Sequence, residues 1–147
     1  MNLRSKTAQR FLVAGQFLTA ATLVLTARNV LNSPVALVLI VAGALLGIGA
    51  WLTFGLTKIT VMPELKDEAR LITNGPYRFI RHPMYTAVAL FCLGFVVASP
   101  SLWRILIWIA LVVVVTAKSR IEEAFLLDRF SEYSQYKKRT GRFLPFC

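Results

Sequence analysis

Four apolar runs dominate this chain and leave few folds open to it. They cover residues 11–27, 35–56, 84–98 and 102–117. A helix needs roughly 20 apolar residues, within about 17–25, to cross a bilayer. The second run meets this alone, and the first does once it is extended from Ala8 to Val30. The third and fourth are shorter and are separated by Ser99-Pro100-Ser101, which is turn chemistry. They read as a tight helical hairpin whose polar ends reach the interface. The chain is 56% hydrophobic with a mean hydropathy of +0.62, above what a soluble domain of this size carries. The expectation is an all-α integral membrane protein of four transmembrane helices, closed by a C-terminal hairpin and an amphipathic tail helix.

Charge gives this arrangement a direction. With four spans, the N-terminus, the 57–81 connection and the tail share one side. That side holds 15 of the 17 Lys and Arg residues, and the other holds Arg28 and Arg104. The positive-inside rule then puts both termini in the cytoplasm. The formal charge of +10 is therefore read as topology and contact with anionic headgroups of membrane lipids, and not as nucleic-acid binding. Arg4, Lys6 and Arg10 precede the first run as in a signal peptide, but no convincing small-residue cleavage site follows, so it reads as a retained span. No ionisable side chain is expected within a span, which argues against a proton-coupled transporter.

The whole of 1–147 reads as one domain, with two N-terminal helices in 1–56 and a loop, hairpin and tail in 57–147. Within helix two, Gly43 and Gly47 form a small-xxx-small pattern suited to close helix packing. In the connection, 57–62 reads as the fraying end of helix two, Pro63 as its stop, and 64–70 as a short surface helix. Asn74-Gly75-Pro76 is a turn, and Pro83 suits the first turn of helix three with His82 at its cap. Residues 118–138 are rich in helix formers and are expected to form one amphipathic helix folded on the membrane face. Cys92 and Cys147 are too far apart to imply a disulfide, and one histidine with two distant cysteines gives no metal site.

Two polar clusters border the apolar runs. The first is Gly75-Pro76-Tyr77-Arg78-Phe79-Ile80-Arg81-His82-Pro83-Met84-Tyr85, which holds the only histidine. A lone histidine beside a proline at a helix start is usually a capping residue, but here Tyr77, Arg81 and Tyr85 crowd around it. His82 and Tyr85, three apart, share a helix face. The second cluster is Arg120-Ile121-Glu122-Glu123. Two adjacent carboxylates at a helix C-terminus repel each other and oppose the macrodipole, unless the helix continues or a cation binds there.

Joined to Phe130, Tyr133, Tyr136, Arg142 and Pro145, these clusters resemble the isoprenylcysteine carboxyl methyltransferase and phospholipid methyltransferase superfamily over roughly residues 55–147. Its members are integral membrane methyltransferases that use S-adenosylmethionine without a soluble-type glycine fingerprint. The resemblance implies a cytoplasmic cofactor pocket built from Leu71, Ile72, Gly75, Tyr77, Arg81, His82, Pro83, Met84 and Tyr85, completed by Glu122 or Glu123. It also implies a tunnel between helices that admits a lipid-like or small apolar acceptor, with an isoprenylcysteine-type carboxylate favoured over an amine or thiol. Where the carboxyl methyltransferases place a substrate-contacting arginine, four residues before the first cofactor glutamate, this chain has Lys118, and Arg120 follows two residues later. Lys118, Arg120 and His82 are thus the implied catalytic residues. Two other readings are a sterol-type reductase using NADPH, which resembles the same Arg-His-Pro-x-Tyr region, and a small membrane scaffold or transport subunit.

Overall fold

The computed structural model describes residues 5–55 and 71–145, and among these it is helical with no named strand. The expectations for 57–62, Pro63 and 64–70 lie outside the described residues. Five α-helices follow in order: α1 (Lys6–Leu25), α2 (Pro34–Phe54), α3 (Pro83–Ala98), α4 (Leu102–Arg129) and α5 (Tyr133–Arg139). Local chemistry sets their starts. Ser5 and Ser33 cap α1 and α2 by accepting the Ala8 and Ala36 amides, and Pro34 and Pro83 occupy first-turn positions where no amide is missed. Gly55, at φ +96°, ends α2 in a conformation other residues resist.

Helices α1, α2 and α4 are each long and apolar enough to cross a membrane, whereas α3 is a shorter apolar helix of 16 residues. Their outward faces carry Phe11, Leu18, Val38, Leu45, Leu106 and Val113 in the open. So much exposed aliphatic surface suits a lipid solvent and not water. Inside, Leu23, Cys92, Val96, Leu111 and Val115 join α1, α3 and α4 into a core. Helix α2 lies along α3, and α1 lies along α4. A Cβ on Gly43 would come 2.6 Å from the Phe91 amide nitrogen, and one on Gly94 would come 2.8 Å from the Ala36 carbonyl. The glycines let the α2 and α3 backbones touch.

Two expectations change. Residues 118–138 do not form one separate helix. Helix α4 runs unbroken through Lys118 to Arg129, and only after Phe130, Ser131 and Glu132 does the short α5 begin. A 28-residue helix is about 42 Å long against a hydrocarbon core of about 30 Å, so its last two turns overhang the bilayer. The glutamate pair therefore stands inside a helix, not at its end. The second change is Arg104, placed by sequence on the far side and outside any span. It lies in the first turn of α4, is 2% exposed, and donates to the Leu23 and Phe95 carbonyls and the Thr26 hydroxyl. The guanidinium thereby caps the C-terminal ends of α1 and α3, where the helix dipoles favour a cation. Beside it, Ser99 Oγ accepts the Arg28 amide and donates to the Arg28 carbonyl, tying the two far-side turns together.

Candidate active site

At the opposite end, the chain between α2 and α3 builds one wall of a site. Gly75 takes φ +56°, and a Cβ there would meet the Thr53 hydroxyl at 2.6 Å, so this turn against α2 needs glycine. Pro76 and Tyr77 follow in a single 3-10 turn. Residues 79–82 then run beside 140–142 through an isolated parallel bridge at Ile80 and Gly141. Arg81 N donates to Gly141 O at 2.8 Å, His82 N to Arg142 O at 3.1 Å, and Gly141 N to Phe79 O at 3.2 Å. This parallel pairing had no local sequence signal. It fixes the backbone of His82 immediately before Pro83 opens α3.

Glu123 organises the base of the site. It is 3% exposed and receives Arg81 Nε at 3.0 Å on Oε1, and Arg142 Nε and Nη2 at 3.1 and 2.9 Å on its two oxygens. Lys137 Nζ lies 3.3 Å away. Arg81 Nη1 also donates to the Lys137 carbonyl at 2.9 Å and to the Thr140 carbonyl, which caps the end of α5. Tyr136 Oη donates to Tyr77 O at 2.6 Å, holding the 3-10 turn onto α5. Glu123 is thus spent on joining α4, α5 and the 79–82 segment.

His82 lies between the two carboxylates, with Nδ1 3.4 Å from Glu122 Oε2 and Nε2 3.4 Å from Glu123 Oε1. Nε2 makes no well-formed hydrogen bond, so the contact is ionic in character. Burial opposes protonation of the ring, but the paired carboxylates outweigh it and hold its pKa above the ordinary 6.5. Folding thus favours the imidazolium. Its stabilisation is complete below pH 6.5 and fades as pH rises through the raised value. The unfolding midpoint in detergent is expected to fall with pH above this point more steeply in the wild type than in His82→Gln. Parallel slopes would show that the ring does not titrate with folding.

Above this base opens a cavity of about 300 Å³ whose walls include Tyr77, His82, Met84, Tyr85, Lys118 and Glu122. Phe54 of α2 and Gln16 and Phe17 of α1 complete it. His82 stacks on Tyr85 with centroids 5.6 Å apart and planes 19° from parallel. Burial, then the nearby Glu122 charge, raises the Tyr77 phenol pKa, so it presents a neutral aromatic face. Glu122, with 27% of its side chain exposed, is the carboxylate that faces the cavity. Lys118 is 1% exposed, donates to Gln16 Oε1 at 2.5 Å, and holds its ammonium 5.2 Å from the Tyr85 ring centre. Met84 and Val88 also line a wholly apolar groove of about 280 Å³ between α1, α2 and α3, floored by Phe91 and Cys92.

The predicted residues separate around this cavity. Tyr77, Arg81, His82, Met84, Tyr85, Lys118 and Glu122 meet there. Pro83 is buried as the first residue of α3, and Gly75 serves the turn. Leu71 lines a different cleft with Thr73, Arg78 and Tyr136, and Ile72 is half-buried outside both. Arg120 is exposed and outside the cavity, and Glu123 lies beneath it. Sequence reasoning missed Gln16, Phe17, Phe54 and Val88. Gln16 did leave a signal, as the one amide in an otherwise apolar stretch of α1, where a polar group is costly and tends to have a task.

The phospholipid methyltransferase family profile matches residues 31–133, from before α2 to the first residue of α5. The chain belongs to the phospholipid methyltransferase family. A 76-residue stretch is 36% identical to the cobalt-zinc-cadmium resistance protein CzcN of Cupriavidus metallidurans, covering 51% of this chain and 35% of that protein. An 82-residue stretch is 34% identical to the nickel-cobalt-cadmium resistance protein NccN of Alcaligenes xylosoxydans xylosoxydans, covering 54% and 38%. The matched stretches span well under half of either relative. No solved structure matches the chain. For a phospholipid methyltransferase family member, most of the cavity wall falls inside the matched region, while Gln16 and Phe17 precede it.

Proposed function

We propose that this protein is an S-adenosylmethionine-dependent membrane methyltransferase acting on a lipid-like or small apolar acceptor, with an isoprenylcysteine-type carboxylate favoured. The observation that carries the reading is the cavity itself: aromatic faces, one solvent-reaching carboxylate and one buried ammonium, gathered where α4 leaves the bilayer. In this reading α3 also crosses the membrane, giving four spans, both termini are cytoplasmic, and 1–147 acts as one domain. The metal-resistance names of the two relatives carry no acceptor over to this chain.

S-adenosylmethionine, when bound, supplies a methyl group on a sulfonium. The faces of Phe54 and Tyr77 suit such a cation through their ring quadrupoles. Glu122 would take an ammonium or ribose hydroxyls, and His82, seated between its glutamates, keeps the Tyr85 ring in place by stacking. The apolar groove that shares Met84 and Val88 with the cavity gives a hydrocarbon tail a path from the bilayer. Alignment in a closed site supplies most of what an in-line displacement needs.

Calorimetric titration of S-adenosylhomocysteine into the purified protein tests the reading, in detergent and in lipid nanodiscs. A saturable one-site isotherm is expected in both. No heat in either sinks the methyltransferase reading, and heat with NADPH instead favours the reductase.

A further inference from the structure

Lys118 is a buried cation that its surroundings stabilise without neutralising. Its ammonium has three donors. One goes to Gln16 Oε1 at 2.5 Å, and the Tyr85 π face lies 5.2 Å away. Among the described residues no carboxylate oxygen lies within 4 Å of Nζ, so no ion pair forms. Glu122 is one turn further along the same helix, a rise of about 6 Å, and its charge acts on the ammonium across the cavity without pairing with it. An ammonium that is 1% exposed and has no carboxylate in contact is expensive unless something else supplies the charge. The side chain lines the cavity, so a ligand in the cavity reaches it.

We propose that Gln16 is a positioning residue for acceptor selection. By holding the Lys118 ammonium through a neutral amide, it keeps that end of the cavity cationic and selects an acceptor whose reacting group is an anion, over an amine. This rests on the methyltransferase reading. The chemistry agrees with the charge. A carboxylate oxygen or thiolate sulfur forms the new bond to the methyl carbon with its own lone pair, while the carbon–sulfonium bond breaks and leaves its pair on sulfur as a neutral thioether. The two charges cancel and no proton has to leave. An amine would have to shed a proton and would gain positive character beside Lys118. A glutamate at position 16 would pair with Lys118 and remove the preference, although its shape is nearly the same.

Chemical footprinting of Lys118 reads this without turnover. The protein in nanodiscs is treated with a small anhydride, and acylation of Lys118 is followed by mass spectrometry with decanoate or decyltrimethylammonium present, a cation that cannot itself be acylated. In the wild type, decanoate should slow acylation about tenfold more than decyltrimethylammonium does, the scale of one charge-assisted contact. In Gln16→Glu this ratio should collapse toward one, and in Gln16→Met it should fall because the ammonium is no longer held. A purely packing role for Gln16 would lower cofactor affinity and thermal midpoint together and leave the decanoate preference unchanged. Equal protection by both probes in a wild type that binds S-adenosylhomocysteine overturns the proposal alone. Decanoate-selective protection in a wild type that binds no S-adenosylhomocysteine supports the charge selection and overturns the methyltransferase reading.

Discussion

Replacing Glu123 by glutamine is expected to cost about 3–5 kcal/mol of folding stability, enough to lower the unfolding midpoint in detergent by many degrees. The carboxylate is 3% exposed and is shared by Arg81, Arg142, Lys137 and His82. Glutamine keeps the size and one acceptor oxygen but removes the charge. Two guanidinium groups and an imidazole then lie together, with Glu122 as the carboxylate left beside the ring among the described residues. Arg81 would keep its bonds to the Lys137 and Thr140 carbonyls, but Arg142 would lose the partner that ties residues 140–142 to α4. The pairing of 79–82 with 140–142 should therefore loosen, and with it the backbone of His82. Amide exchange by mass spectrometry checks this, with faster exchange expected at Arg81, His82 and Gly141. An unchanged midpoint and unchanged exchange would show that Glu123 is not the joint described above.

The sequence made the helices legible because the apolar runs stand out in length and Ser33-Pro34, Gly55, Pro83 and Ser99-Pro100-Ser101 mark their boundaries. It did not make α5 legible. Phe130-Ser131-Glu132 contains no proline or glycine, and the break comes from Tyr133, buried at 1%, and from Arg81 anchoring the last turn of α5. Nor could it assign the partners of Arg104, because an arginine beside a Ser-Pro-Ser turn reads only as a far-side charge unless the carbonyls it will cap are known. The His82 cluster was legible as a cluster, through the density of aromatic and ionisable side chains at an apolar boundary. What each glutamate does was not, because adjacent helical residues point about 100° apart and only the returning C-terminal segment decides which of them is enclosed. Gln16 belongs to α1, more than 100 residues from Lys118, and a search for charges passes over an amide.

Glu122→Gln should behave in the opposite way to Glu123→Gln. Glu122 is partly exposed, and the one ion contact described for it is His82 Nδ1 at 3.4 Å, so its loss should leave the thermal midpoint close to wild type. Its carboxylate nevertheless faces the cavity, and a bound ammonium or ribose hydroxyl would lose a charge-assisted partner worth about 1.5–3 kcal/mol. Affinity for S-adenosylhomocysteine is therefore expected to fall about 10- to 100-fold by calorimetry. The pair of substitutions distinguishes a binding carboxylate from a structural one on the same helical turn. If Glu122→Gln binds normally while a still-folded Glu123→Gln does not, the cofactor lies on the Arg81–Arg142 side and the cavity lined by Tyr85 and Lys118 is left to the acceptor alone. If both bind normally, neither carboxylate holds the cofactor. The aromatic walls, with Lys118 and the loop amides, would then have to supply all the recognition, which is a weak basis for choosing a cation over a neutral ring.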